Sequence, residues 1–248
     1  TAPCIRAIQS LGEDYTITHL ERKTPLLIED EALSGKKYNR WNLKNKLQKG
    51  DAVIAFTRKD VLTLSARFRQ WGYGVASIYG ALSPEVRRTE SRRFCSGEAD
   101  ILVATDAIGM GLNLPIRRVV FSSVEKFDGV AGRKINATET RQIAGRAGRF
   151  GIYPTGYVNA FEQDELIHIE HMLHTSDVAD LEKLPVSPNF KEITHIAGEM
   201  HTQKLSEVLT FVRERFSSSS DLFELAPLDT QMQLALLIDA YAPKLHLK

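Results

Sequence analysis

Short continuous apolar runs alternate along the middle of the chain with stretches of helical spacing. Residues 51–56 form an apolar run opened by Lys49-Gly50. Val61, Leu64, Phe68 and Trp71 follow at spacings of three, four and three, the face of a helix that Gly72 ends. Residues 74–79 read as the next strand. Ser83-Pro84-Glu85 then starts a helix, with Ser as cap and Pro at the first helical position, and that helix carries Val86 and Phe94 and closes near Gly97. Residues 100–104, 117–121 and 156–161 supply three more strands. Strands separated by helices predict an α/β fold with a parallel sheet wrapped by helices. Burial on both faces accounts for the uninterrupted Ile-Leu-Val-Ala and Val-Val-Phe runs.

Two interruptions break this rhythm. Asp128-Gly129 lies between short β-prone stretches within residues 124–136, which predicts a hairpin. Residues 1–50 hold a predicted strand over 16–21 and then a Lys/Arg-rich stretch from Lys36 to Lys49, read as a solvated helix. After about residue 162 the β signals stop. Leu166, Ile169 and Leu173 predict one helix. Leu205, Val208, Leu209, Val212 and Phe216 predict a second with an apolar stripe facing the core, and residues 232–241 a third. Ser217 to Ser220 reads as a polar loop. The division expected is 1–50 as linker and domain start, 51–162 as the α/β domain, and 163–248 as a helical region.

Composition changes the picture modestly. The 248 residues are 43% hydrophobic and 25% charged, an ordinary globular balance. No apolar run approaches the roughly 18 residues of a membrane span, so no membrane partner is expected. Cys4 and Cys95 show no metal-ligand spacing. His168, His171 and His174 recur on one helix without an HExxH pattern, so no metal site is expected. The chain starts at Thr1, which suggests a fragment or a processed chain without a signal peptide. The net charge of +1 hides an asymmetry: residues 1–160 hold 25 Lys and Arg against 16 Asp and Glu, and residues 161–248 hold 7 against 15. The basic part is the better candidate to meet a polyanion.

Candidate chemistry collects in two segments. In Gln142-Ile143-Ala144-Gly145-Arg146-Ala147-Gly148-Arg149, a continuous helix capped by Thr138 or Thr140 would put Gln142, Arg146 and Arg149 on one face. Paired arginines repel and interior glycines weaken a helix, a conflict that an anion resolves: two guanidinium forks clamp a phosphate while the glycines admit a close backbone. The second segment, Ala104-Thr105-Asp106-Ala107-Ile108-Gly109-Met110-Gly111-Leu112-Asn113, starts at the carboxyl end of a buried strand, where open α/β sheets bind ligands. Thr105 offers a hydroxyl to a phosphate, and Asp106 can orient nearby groups. The arginine face is expected beside that edge.

These residues carry a resemblance. The 51–57 strand end, the Tyr79-Gly80 strand end, the 105–113 loop and the 142–149 segment resemble motifs IV, IVa, V and VI of superfamily 2 helicases, in order. Within that superfamily the 104–114 and 142–150 segments, with Thr24-Pro25-Leu26, are most similar to the mitochondrial degradosome RNA helicases and their bacterial relatives. The resemblance implies a second RecA-like domain with a helical appendage, working with a first RecA-like domain outside this chain. It implies ATP between the two domains, Mg²⁺ held by the first, and RNA lying across both. Arg146 and Arg149 would be arginine fingers, Gln142 would help position them, and Gly111 and Asn113 would lie near the nucleotide. Thr105 and the Gly80 backbone would hold RNA phosphates, with Thr57 and Arg58 as further candidates. A ribonuclease partner, and a bacterial cytoplasmic or mitochondrial matrix location, follow from the same resemblance.

The chain carries no Gly-x-x-x-x-Gly-Lys-Ser/Thr loop. Glu29-Asp30-Glu31-Ala32 superficially resembles an Asp-Glu box but precedes the first strand expected of the sheet, and reads as a linker or helix start. ATP hydrolysis by this chain alone is therefore expected at background rate. The alternatives are a non-hydrolysing RNA- or protein-binding module and a DNA helicase of the same superfamily.

Overall fold

The computed structural model describes residues 2–12, 14–18, 21–34, 40–109, 113–127, 129, 131–175, 183–216 and 221–241. They form two compact units: residues 19–178, and residues 1–18 with 179–248. In chain order the elements are α1 (Ala2–Ser10), β1 (Leu26–Ile28), a 3-10 turn (Arg40–Asn45), β2 (Asp51–Ile54), α2 (Arg58–Gln70), β3 (Val75–Ile78), α3 (Pro84–Cys95) and β4 (Ile101–Ala104). A second 3-10 turn (Asp106–Gly109), β5 (Arg118–Phe121), β6 (Glu125–Phe127), β7 (Gly132–Lys134), α4 (Ala137–Ala144), β8 (Gly156–Ala160) and α5 (Gln163–His174) complete the larger unit. The smaller unit holds α1 together with β9 (Leu184–Val186), α6 (Phe190–Glu199), α7 (Leu205–Phe216), β10 (Phe223–Leu225) and α8 (Asp229–Tyr241).

Six parallel strands run in the order β1-β8-β5-β2-β4-β3. Side chains alternate across the pleat. Ala52 and Ile54 enter the cluster that also holds Phe94 of α3, Ile143 of α4 and Ile169 of α5, while Val53 and Ala55 enter the opposite cluster with Phe68 of α2 and Leu43. The helices thus cover both faces, and the five expected strands all take their places in the sheet. Ser83 caps α3 as expected, accepting from Val86 N–H at 3.4 Å. The expected hairpin is β6–β7, with Gly129 at φ +102° in its turn.

Some expectations fail. The described residues of 16–21 form no strand, and the sixth strand is Leu26–Ile28 instead. Glu29-Asp30-Glu31-Ala32 follows that strand and starts no helix. The Glu29 carboxylate accepts from Arg118 Nη1 at 2.8 Å, and Arg118 Nη2 in turn meets the buried Asp51 at 2.6 Å. Burial opposes the charge of Arg118, but the Asp51 and Glu29 carboxylates outweigh it and raise its pKa. The basic stretch forms only the short 3-10 turn over its described part, with Leu43 and Leu47 buried. Cys95 is a free, exposed thiol.

In the smaller unit β9 and β10 pair in parallel, so β structure continues past residue 162. α6 had no counterpart in the sequence pattern. Leu209 and Val212 of α7 pack with Leu228 and with Ala235 of α8, so the apolar stripe of α7 does face a core. Ser217 to Ser220 lie outside the described residues. Leu166 and Ile169 of α5 pack on the sheet, which places this helix in the larger unit although it lies beyond residue 162. No helix among the described residues is long and apolar enough to cross a membrane.

Candidate functional site

Three of the sequence-selected residues stand in a row. Thr57, Thr105 and Gly80 follow the carboxyl ends of β2, β4 and β3, which are neighbours in the sheet. Thr105 N–H donates to the Ile78 carbonyl at 3.0 Å, fixing the start of the 104–113 segment against the end of β3. Its hydroxyl accepts from Ala107 N–H at 3.4 Å, which leaves the hydroxyl proton for another partner. A Cβ added at Gly80 would meet nothing within 4 Å, so the backbone there is open to close approach. The Gly80 carbonyl accepts from Arg87 Nη2 at 3.2 Å.

Thr57 and Arg58 have other duties. Thr57 caps α2: its hydroxyl oxygen accepts from Asp60 N–H at 3.0 Å and its proton goes to Asp60 Oδ2 at 2.5 Å. The Arg58 guanidinium lies 5.3 Å from the centroid of the Tyr79 ring.

The 142–149 segment departs from the continuous helix expected. α4 stops at Ala144, with Gly145 as its C-cap, and its N-cap is Asn136 rather than Thr138 or Thr140. Asn136 Oδ1 accepts from Glu139 N–H at 2.9 Å, and Glu139 Oε2 accepts from Asn136 N–H at 3.1 Å, a reciprocal capping box. Gln142 is exposed on the last turn. Arg146 and Arg149, both half-buried, lie beyond the helix in a turn that returns to the sheet through a parallel bridge of Ala147 to Ile116. Gly148 has φ +74° and donates its N–H to the Ile116 carbonyl at 2.8 Å.

The arginine turn also sits at the other edge of the sheet from the one expected. Ile116 precedes β5, Gly156 opens β8, and a Cβ on Gly148 would lie 2.6 Å from Gly156 N. α4 runs antiparallel to the strands and so carries the chain from the carboxyl edge to the amino edge. Of the 104–113 segment, Thr105 stands at the carboxyl edge and Asn113 beside the arginine turn. There the Asn113 carbonyl accepts from Arg149 Nη1 at 2.9 Å, so the arginine is held by a backbone oxygen. Gly111 lies outside the described residues.

Three supporting groups were missed in the sequence. Arg22 donates Nη1 to the Gly145 carbonyl at 2.7 Å, Nη2 to the Ala147 carbonyl and Nε to the Thr24 carbonyl. It ties down the carbonyls at the end of α4, where a cation is favoured, although burial lowers its pKa. Lys126 Nζ bridges Asp106 at 2.6 Å and Glu139 at 3.1 Å. Arg133 meets Glu139 at 2.8 Å. Hydrogen bonding from Arg133, with Asn136 N–H and Lys126, lowers the Glu139 pKa to about 2. The Asn136-x-x-Glu139 spacing was the available signal, since it is the capping-box pattern; nothing local marks Arg22 or Lys126. His168, His171 and His174 do not converge, and no group of three His, Cys, Asp or Glu among the described residues can hold a metal ion.

A six-stranded parallel sheet covered by helices on both faces is the fold of a RecA-like helicase domain. Residues 37–151 match the helicase conserved C-terminal domain family. The chain is 35% identical to the mitochondrial ATP-dependent RNA helicase SUV3 of Candida albicans, over 93% of this chain and 34% of that protein. It is 33% identical to the SUV3 of Saccharomyces cerevisiae, over 94% of this chain and 32% of that protein. A solved structure of S. cerevisiae Dbp5, a single-residue variant bound to Gle1 and IP6, shares the fold at 15% identity and a TM-score of 0.51, over 79% of this chain and 50% of that one. The chain thus carries a helicase conserved C-terminal domain and is similar to superfamily 2 RNA helicases. It spans about a third of the length of the curated relatives it matches.

Proposed function

We propose that this chain is the second motor domain, with its helical appendage, of an ATP-dependent helicase that translocates on or unwinds RNA, in the service of RNA degradation. The observation that carries the reading is where the two described ends of the 104–113 segment lie. One end, Thr105, stands with Gly80 on the carboxyl edge; the other, Asn113, holds Arg149 at 2.9 Å. The two ends of one segment thus stand at the edge we assign to RNA phosphates and at the arginine turn, which supports a role in sensing both ligands.

In this reading Arg146 and Arg149 face the γ-phosphate of ATP bound on a first RecA-like domain, with Gln142 beside them. Such fingers contribute roughly 10³–10⁵ in rate in related phosphoryl transfers. Mg²⁺ belongs to that first domain. Thr105, the Gly80 backbone and, after release from its cap, Thr57 contact RNA phosphates; Arg58 adds positive charge. Phosphate contacts position the strand and carry little sequence information. The relatives' names, which read mitochondrial, support the mitochondrial of the two compartments that the resemblance implies, and a ribonuclease is the partner we assign.

The test uses the full-length protein. Arg146→Ala and Arg149→Ala should each reduce RNA-stimulated ATP turnover by about 10³-fold, while RNA affinity stays within a factor of about three. This chain alone should hydrolyse ATP at background rate. Loss of RNA affinity with ATP turnover unchanged would favour the binding-module alternative and overturn the reading.

A further inference from the structure

Outside the two ligand groups, one charged cluster joins three elements that the sequence keeps apart. Lys126 lies on β6, the first strand of the hairpin. Its ammonium is 2.6 Å from Asp106, the residue next to Thr105, and 3.1 Å from Glu139 in the first turn of α4. Arg133 on β7 reaches the same Glu139 at 2.8 Å and 3.0 Å, through its Nη1 and Nη2. Two cations thus hold two carboxylates. The Lys126 side chain is 25% exposed and that of Glu139 is 19% exposed, so water screens this pair less than an open surface pair; Asp106, at 38%, is more open to water.

The placement has a mechanical consequence. Asp106 opens the 3-10 turn immediately after the strand end assigned to RNA. Glu139 is the third residue of α4, and its carboxylate also closes the capping box on Asn136. α4 leads without a break to Gln142, and its last carbonyls precede Arg146. A shift of the Thr105–Asp106 backbone on binding a phosphate is therefore carried to the start of α4 through one ammonium, and along a rigid helix to the arginine turn. Without Lys126, Asp106 loses its cation and Glu139 keeps only Arg133, so the hairpin still holds α4 but the strand end no longer does.

We infer that Lys126 is a positioning residue that couples RNA occupancy at Thr105 to the setting of the arginine turn. This rests on the proposed function and deepens it: RNA stimulation of ATP turnover would pass through the hairpin's root. Lys126 is not among the residues assigned to RNA or nucleotide; it acts through Asp106 and Glu139.

The experiment uses the full-length protein and compares ATP turnover with and without single-stranded RNA. Lys126→Met should leave basal turnover and RNA affinity within about threefold, and should cut the stimulation factor by about tenfold, within the 5–150-fold span usual for coupling between sites. Lys126→Arg keeps the charge and both partners and should restore stimulation. Asp106→Asn, which breaks the same link from the other side, should reproduce the Lys126→Met phenotype; it stands in if Lys126→Met does not fold. Unchanged stimulation in Lys126→Met or Asp106→Asn, or an equal fall in basal and stimulated rates, would overturn the inference. A parent protein without RNA-stimulated turnover would instead overturn the functional reading beneath it.

Discussion

Gly148 sits at φ +74°, and a Cβ built there would lie 2.6 Å from Gly156 N and 2.6 Å from Thr24 Cγ2. A left-handed backbone costs an L-residue roughly 1–2 kcal/mol, and the clash with a strand backbone has no cheap relief. Gly148→Ala is therefore expected to destabilise the chain by about 2–4 kcal/mol, measured by thermal or denaturant unfolding; a change within about 0.5 kcal/mol would show that the turn relaxes. Gly80→Ala gives the contrast. It has open space around it and no positive φ, so stability should hold, and any effect should fall on RNA affinity. The sequence marked both glycines, but for a different reason at residue 148. It took Gly145 and Gly148 as weak points inside a helix, whereas the helix has ended and Gly148 is there for its contact with the start of β8. That contact joins residues close in space and separated in sequence by the Arg149–Thr155 stretch, so local pattern could not show it.

At the scale of elements, α5 and the hairpin meet around a carboxyl group with a displaced titration. Burial pushes the Glu165 pKa up to about 7, with Glu162 and Glu125 of β6 adding repulsion and Lys134 of β7 opposing it. The unfolded chain releases this proton near its ordinary value of about 4.3, while the folded chain keeps it to about 7. Stability is thus lost progressively as pH rises between those values and is level above them. Glu165→Gln is expected to match the parent in melting temperature near pH 4 and to exceed it near pH 8; equal melting temperatures at both would refute the burial argument. The neighbouring His168 Nε2, 3.0 Å from the Ile135 carbonyl, holds the same junction. Elements of this size, with four or more apolar positions or a strong cap, were legible in the pattern: β2 to β5, β8, α2, α3, α5 and α7 all stand where periodicity put them. β1, β9 and β10 span three residues each and take their identity from pairing with distant strands. α4 was extended too far because Gln142, Arg146 and Arg149 fit a helical spacing, while the Arg22 bonds that gather the carbonyls after Ala144 come from the other end of the domain.

At the scale of the whole chain, charge and contact disagree over which residues meet a polyanion. The α/β unit, residues 19–178, carries 24 Lys and Arg against 19 Asp and Glu, a smaller excess than the 25 against 16 of residues 1–160, because acidic α5 packs with the sheet. The carboxyl edge itself offers hydroxyls and backbone: Thr105, Gly80 and Thr57. Its nearest cations are engaged, Arg58 over Tyr79 and Arg87 on the Gly80 carbonyl. Salt dependence measures how many phosphates are neutralised by cations, at a slope of about −0.7 per phosphate for single strands. If the edge holds RNA, one to three such neutralisations are expected, and the logarithm of affinity for single-stranded RNA should fall with the logarithm of salt at a slope of about −1 to −2. Fluorescence anisotropy of a labelled RNA titrated with this chain at several salt concentrations reads the slope directly. A slope near −5 would mean that the basic excess grips the strand as a whole and that the row of strand ends is not the contact. A shallow slope that steepens no further in Thr105→Val, with affinity reduced, would place the hydroxyl on a phosphate, since losing a neutral contact weakens binding without changing the number of ions released.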